Sequence, residues 1–185
     1  MVIDDGELVK ACLAGEPAAL QAFVRKFQAM VFGVCFRILG HREDAEDVSQ
    51  EVFFRALRHL DQWDSNRPIT PWLLTIASNR CRTWLSHRSH KPVSTEFIDE
   101  ASDPRTSAGR NDLGEELQLA LERLREEYRL CFILYHQSEM SLAEISEIVG
   151  SPEGTIKTWL HRARKELSEH LQRRGIVPQV NHEMH

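Results

Sequence analysis

The sequence predicts an all-α protein made of two small helical domains joined by a flexible linker, and three observations support this. Apolar residues recur at helical spacing through most of the chain, and no segment has a strand-like pattern. The stretch 92–112 is rich in Ser, Pro, Asp and Gly and has no such periodicity. Residues 141–171 have the layout of two helices joined by a tight turn. We therefore expect a first domain at 1–91, a linker at 92–112, a second domain at 113–174 and a tail at 175–185.

Composition narrows the class of protein. The chain has 185 residues, of which 42% are hydrophobic, as expected for a soluble globular protein. Its net charge of −5 argues against non-specific coating of nucleic acid, so any contact with DNA has to come from a local patch. No apolar run is long enough for membrane insertion and the N-terminus is acidic, so we expect a cytoplasmic protein. The four cysteines are far apart and are expected to be buried free thiols.

The first domain begins with two predicted helices whose apolar residues form part of its hydrophobic core. A short amphipathic helix starts at Glu7 and ends near Gly15. A strongly apolar helix follows from Ala18 to Leu39, and Gly40 ends it. Neither helix has a residue pattern that indicates a catalytic or binding site.

The third predicted helix runs from Asp44 to Leu60 and has two different faces. Its inner arc is apolar, whereas Asp47, Glu51 and Phe54 lie on the opposite side at helical spacing. The acids are also explained by the positive end of the helix dipole. Phe54 is an aromatic residue among charges on an outer face, which indicates a protein-binding surface.

A loop from Trp63 to Pro71 leads into a predicted helix that ends near His87. The window from Ser65 to Thr95 contains no acidic residue but has four arginines, one lysine and two histidines. This predicts a local basic surface, and aromatic residues beside arginines suit unstacked single-stranded bases as well as phosphates. The alternative is that the tryptophans belong to the core and the arginines are merely solvated.

The second domain is predicted to be a small helical bundle that contains a helix-turn-helix. Helices at Leu113 to Leu124 and Glu127 to His136 pack beneath it. Gly150 suits the left-handed position that ends a helix, and Ser151 is the expected N-cap of the next helix. That helix has one apolar face and one polar, basic face, as a major-groove helix does. A helical hairpin with a solvated charged face is the alternative. We find no Gly-rich phosphate loop or nucleophile–base pair, and therefore no case for an enzyme.

Three stretches together resemble the sigma factors of bacterial RNA polymerase, and more narrowly the compact extracytoplasmic-function (ECF) group, RpoE-like in type. D-A-E-D-V-S-Q-E-V-F-F-R-A, from Asp44 to Ala56, resembles region 2.2 of the family. P-W-L-L-T-I-A-S-N-R, from Pro71 to Arg80, resembles its promoter-melting helix. The segment from Leu124 to Leu167 resembles region 4.

The resemblance implies roles for the residues at matching positions. Contact with the clamp helices of the largest subunits of core RNA polymerase is expected from Asp47, Gln50, Glu51 and Phe54. The loop from Asp64 to Ile69 is expected to cap a flipped base. Single-stranded −10 DNA is expected at Asn66, Arg67, Asn79, Arg80, Arg82 and Thr83. Double-stranded −35 DNA is expected at Thr155, Lys157, Thr158, His161, Arg162, Arg164 and Lys165, in line with major-groove chemistry.

The expected function is promoter-specific transcription initiation, with no ATP, metal or other cofactor. An anti-sigma factor that covers the same surfaces is the expected regulatory partner, as is common in the group. Two other classes remain open: an autonomous helix-turn-helix repressor that binds a palindrome as a dimer, and a helical adaptor without a DNA role. The acidic–aromatic face of the third helix is unexplained by the repressor class, and the acid-free window is unexplained by the adaptor class.

Overall fold

The computed structural model describes residues 4–90 and 113–176, and this part of the chain is entirely helical, which confirms the all-α prediction. The predicted linker and residues 177–185 of the predicted tail lie outside the described residues. Within the described ranges there are eight α-helices, one short 3-10 turn at Leu60–Gln62, and no strand. The helices are α1 Asp5–Leu13, α2 Pro17–Leu39, α3 Arg42–Arg58, α4 Ile69–His90, α5 Leu113–Glu122, α6 Glu126–His136, α7 Leu142–Val149 and α8 Glu153–Arg173.

The first domain consists of α1 to α4, with α2 at its centre. Phe23, Val31 and Cys35 on α2 are completely buried because α1, α3 and α4 pack around this helix. Each large apolar side chain buried in this way contributes about 1.5–3 kcal/mol. The helix ends where predicted, at Gly40, whose φ of 79° is the left-handed conformation that glycine adopts without strain.

The second domain consists of α5 to α8. Hydrogen bonds hold the turn between α7 and α8 in place. Ser141 and Glu144 form a reciprocal capping box at the start of α7. At its end the Gly150 amide donates to the Ser146 carbonyl at 2.9 Å, with Gly150 at φ 71°. The Ser146 hydroxyl donates to the Ser151 carbonyl at 2.7 Å, which joins the end of α7 to the turn.

The N-cap of α8 is Pro152, so the prediction of Ser151 was wrong by one residue. Pro152 has an extended ψ of 147°, and its carbonyl accepts from the amides of Thr155 and Ile156. The Ser151 carbonyl accepts instead from Ser146. The helix therefore starts one residue later, because the hydrogen bond from Ser146 holds Ser151 in the turn.

The two domains pack against each other, which the sequence did not predict. Helix α2 contacts α5 and α6, and α4 contacts α7. One apolar core includes residues of every described α-helix except α5. Gln118 on α5 donates to the Phe36 carbonyl near the end of α2 at 3.4 Å. A Cβ at Gly40 would lie 2.9 Å from Glu122 Oε1, so glycine also permits the close approach of α5.

Gly150→Ala tests the left-handed turn of the helix-turn-helix. Nothing lies within 4 Å of the added Cβ, so the cost is backbone strain alone. We expect the free energy of unfolding, measured by urea denaturation, to fall by about 1–2 kcal/mol.

Gly154→Ala is the matched control, because this glycine also faces open space but lies in the first turn of α8. There the substitution should be neutral or stabilise by up to about 1 kcal/mol. Equal effects at the two glycines would contradict the assigned turn.

Candidate nucleic-acid interface

Helix α8 presents a polar, basic face on the side opposite its buried stripe. Ile156, Leu160 and Ala163 are buried against the rest of the second domain. This fixes the rotation of the helix, since residues three and four apart share a face. The opposite face carries Thr155, which is half-buried, and the exposed residues Lys157, Thr158, His161, Arg162, Arg164 and Lys165. The structure thus brings together all seven residues predicted for duplex DNA.

A cluster of Arg125, Tyr128 and Arg162 lies at the edge of this face. Tyr128 is buried, and its hydroxyl accepts a 3.0 Å hydrogen bond from Arg162 Nη1. The Arg125 guanidinium lies 5.9 Å from the centre of the same ring. The hydrogen bond from Arg162, and then that from Arg125, lower the pKa of the Tyr128 hydroxyl. Tyr128 thus holds the Arg162 guanidinium in place, which the sequence did not reveal because 34 residues separate the two.

The outer face of α3 carries the four residues predicted to contact a protein, Asp47, Gln50, Glu51 and Phe54, and all are exposed. Phe54 is 68% exposed although its neighbour Phe53 is buried. An aromatic side chain left in solvent between charged residues loses the free energy that burial would provide. This geometry is typical of an anchor for a protein partner.

The residues predicted for single-stranded DNA are divided between a loop and α4. In the loop, the Asp64 carboxylate accepts from the Asn66 backbone amide at 2.9 Å and from its side chain at 3.0 Å. Arg67 lies 3.8 Å from the same carboxylate. On α4, Asn79, Arg82 and Thr83 are exposed, whereas Arg80 is only 19% exposed and faces α3.

The arginines of the acid-free window have partners elsewhere in the molecule. Arg80 pairs with Glu51, and Arg88 lies 3.5 Å from Asp44 and 5.3 Å from the Trp84 ring. Arg82 donates to the Ile148 carbonyl of α7 at 3.3 Å. The surface is therefore less basic than the window predicted, because acids on α3 neutralise two of its arginines. Lys91 lies outside the described residues.

Other kinds of site receive no support from the described residues. In ranges 4–90 and 113–176, no group of histidines, cysteines and acids is arranged to hold a metal ion. The four cysteines are free and buried, as predicted. None of the helices in the described part of the chain combines the length and hydropathy required to cross a membrane.

Two family models match the chain in the order of its domains. The model "Sigma-70 region 2" matches residues 23–91, and "Sigma-70, region 4" matches residues 114–167. The chain is 29% identical to ECF RNA polymerase sigma factor SigW of Bacillus subtilis, over 88% of this chain and 94% of that protein. It is 26% identical to the ECF RNA polymerase sigma-E factor of Escherichia coli K12, over 92% and 95%.

The fold is similar to that of solved structures. The sigma factor RpoE of Bartonella quintana, solved with the anti-sigma factor NepR, superimposes with a TM-score of 0.69 at 24% identity, over 82% of this chain and 96% of that chain. CnrH, solved with the cytosolic domain of CnrY, gives a TM-score of 0.65 at 22% identity, over 90% and 96%.

The chain belongs to the sigma-70 family, a family of regulatory DNA-binding proteins. Its relatives place it in the ECF group of RNA polymerase sigma factors. It binds core RNA polymerase and directs promoter-specific initiation through recognition of −35 and −10 DNA. This removes the repressor and adaptor classes that the sequence alone had left open.

A tyrosine titration tests the cluster around Arg162. The chain has two tyrosines, so Tyr135→Phe leaves Tyr128 as the single reporter. We expect its absorbance titration to give a pKa below the usual value of 10.0. Adding Arg162→Ala should raise this pKa, because the hydrogen bond that stabilises the phenolate is lost.

Arg164→Ala in the same background is the control. Arg164 bonds to the Leu160 carbonyl of its own helix, so its loss should leave the Tyr128 titration nearly unchanged. A Tyr128 pKa that does not respond to Arg162→Ala would contradict the observed contact.

Proposed function

We propose that the outer face of α3 is the surface that binds core polymerase, with the clamp helices of the largest subunits as its target. Asp47, Gln50, Glu51 and Phe54 form this surface. The observation that carries the proposal is the 68% exposure of Phe54, on a helix that otherwise buries its apolar residues. Aromatic residues surrounded by polar ones are the usual energetic centres of such interfaces.

The −10 surface is formed by the loop 63–68 and the outer side of α4, with Asn66, Arg67, Asn79, Arg80, Arg82 and Thr83 in contact with the strand. The loop from Asp64 to Ile69 caps one unstacked base. Trp63 and Trp72 line the same cleft and offer apolar surface to that base. Unstacking a base costs a few kcal/mol, roughly, and contacts in such a pocket offset this cost.

The −35 surface is the polar face of α8, with Thr155, Lys157, Thr158, His161, Arg162, Arg164 and Lys165. Arginine can form two hydrogen bonds with a guanine edge, and threonine can bond a base or a phosphate. The exposure of this face and the fixed position of Arg162 support the assignment. In this assignment Arg164 contacts a phosphate of the duplex.

These surfaces define the functional division of the chain. Residues 1–91 bind polymerase and melt the −10 element, 113–174 bind the −35 element, and 92–112 connect the two domains. Recognition and strand opening are coupled, because capture of unpaired bases stabilises the opened duplex. This chain performs no catalysis of its own and needs neither ATP nor a metal.

An anti-sigma factor is the proposed regulatory partner. The two similar structures described above contain a sigma factor with NepR and CnrH with the cytosolic domain of CnrY. Since core polymerase is the target, we place the chain in the cytoplasm. Native pull-downs that recover polymerase but never another stoichiometric protein would contradict the proposed partner.

Run-off transcription with purified core polymerase and a library of promoter fragments tests the function directly. Transcripts that require the chain establish its promoter sequences. Absence of both transcripts and a complex with core polymerase on gel filtration would contradict the function.

Phe54→Ala tests the α3 surface. We expect affinity for core polymerase to fall by about 2 kcal/mol or more, roughly 30-fold, with the fold intact because the ring is exposed. Leu13→Ala is the control, as Leu13 is also an exposed apolar residue (54%) but lies on α1. Equal affinity of the two variants in a fluorescence-anisotropy titration would refute this assignment.

Arg162→Ala tests the α8 surface. We expect binding to a −35 duplex to weaken by about 1–3 kcal/mol, with core binding unchanged. Arg173→Ala removes the same charge from the far end of α8 and should have a smaller effect. Arg173 donates there to the Glu169 carbonyl of its own helix. If both variants bind the duplex alike, Arg162 does not make a specific contact.

A further inference from the structure

Two arginines from different parts of the second domain meet at the Tyr128 side chain. Arg162 of α8 donates a hydrogen bond to the Tyr128 hydroxyl at 3.0 Å. Arg125, the N-cap residue of α6, places its guanidinium 5.9 Å from the centre of the same ring. Arg162 belongs to the −35 surface proposed above, whereas Arg125 lies outside the helix that forms this surface.

The ring of Tyr128 is a rigid support for both arginine side chains. It is only 4% exposed and belongs to an apolar cluster that also contains Leu121, Leu124 and Ala163. The centre of the Trp159 ring lies 6.4 Å from that of Tyr128. A side chain packed in this way keeps one orientation, so its hydroxyl stays at a fixed point at the edge of the polar face of α8.

The positive charges of Arg125 and Arg162 are not neutralised by a paired acid. Of the ion pairs that the described residues form, none includes either arginine. The Tyr128 hydroxyl, and to a smaller extent the Glu166 carboxylate, raise the pKa of Arg162. Glu126 follows Arg125 in sequence but lines a cavity beside α4. Both arginines are exposed and are therefore available to an anionic ligand.

We propose that Arg125 is a further DNA-binding residue, which holds a backbone phosphate of the −35 duplex while the Tyr128 hydroxyl positions Arg162 toward a neighbouring base edge. The inference rests on the −35 role proposed above for α8. Tyr128 does not contact DNA in this arrangement and is a positioning residue that acts through Arg162. The two arginines have different roles, because a phosphate contact strengthens binding to any sequence and a base contact selects among sequences.

The hydrogen bond to Tyr128 prepares Arg162 for this contact. A free arginine side chain loses rotamer freedom when it binds a base, and the bond removes part of that freedom before DNA arrives. A guanidinium has five N–H donors, so Arg162 can donate one to Tyr128 and still present two to a guanine. Two positive charges held against one side chain also repel each other, and a phosphate at Arg125 relieves this repulsion.

Arg125→Gln tests the phosphate contact in the full chain bound to core polymerase. The probes are the −35 duplex of a promoter recovered by run-off transcription and the same duplex with its −35 G·C pairs replaced by A·T pairs. We expect binding to both duplexes to weaken by the same factor, and the slope of log K against log salt concentration to become shallower by about 1. The side chain is exposed, so the fold should persist.

Arg123→Gln is the matched control, because it removes the same charge from the same connection between α5 and α6. Burial, and then the nearby Arg123 guanidinium, lower the pKa of His170 toward the end of α8. Arg123 thus lies beside a different part of α8, and its loss should leave the salt slope nearly unchanged. Equal slopes for Arg123→Gln and Arg125→Gln would overturn the phosphate contact.

Tyr128→Phe tests the positioning of Arg162, since it removes the hydroxyl and keeps the buried ring. We expect the preference for the promoter duplex over the substituted duplex to fall by about threefold or more, with the salt slope unchanged. In the Arg162→Ala background the same change should leave the preference unaltered, because the side chain that Tyr128 positions is absent. A loss of equal size in both backgrounds, or one that is equal for the two duplexes, would indicate a general structural role and would contradict the proposal.

Failure of the proposed function has a different signature. In that case core polymerase produces no transcript that depends on the chain, and the roles of Arg125 and Tyr128 are removed together with the function. Transcripts that do depend on the chain, together with an unchanged salt slope and an unchanged preference in these variants, leave the function intact and remove only the two roles.

Discussion

The apolar packing of α2 on α6, and of α4 on α7, is the constraint on which the rest of the arrangement depends. Each domain is small, and each leaves part of its apolar surface facing the other. Small domains bury a limited fraction of their surface, so a shared core adds substantially to their stability. This packing fixes which face of α4 meets α7. The hydrogen bond from Arg82 to the Ile148 carbonyl is one result of this packing.

Electrostatics then divides the arginines into two groups. Arg80 and Arg88 pair with acids of their own domain and help to hold α3 against α4. Each pair has one partner that is more than half exposed. Surface pairs typically contribute only about 0–1 kcal/mol, so these pairs orient the helices more than they stabilise them. Arg162 is different, because its partner is a neutral tyrosine hydroxyl that leaves the positive charge available. The side chains best suited to meet phosphate or guanine are thus those whose partners carry no opposing charge.

Much of the fold and part of the interface could be predicted from local pattern. The exposed side of α3, the left-handed Gly150 and the polar face of α8 all follow from residues within one or two helical turns of each other. Contacts between distant segments could not be predicted. Arg80 meets Glu51 across 29 residues, Arg162 meets Tyr128 across 34, and Arg82 meets Ile148 across 66. The misplaced N-cap has a different origin, because the hydrogen bond from Ser146 to the Ser151 carbonyl is local to the turn and leaves Pro152 as the N-cap.

The ion pair between α5 and the residue after α8 has a consequence for how far the two domains can separate. Glu116, which is buried, pairs with Arg174 beyond the end of α8 at 2.6 Å, so the start of the second domain is fastened to its end. Motion between the domains is therefore limited by the stretch 91–112, which spans at most roughly 75 Å when fully extended. Because one chain carries both domains, each meets the other at an effective concentration that the length of this stretch limits. Their association is intramolecular, and dilution alone does not separate them.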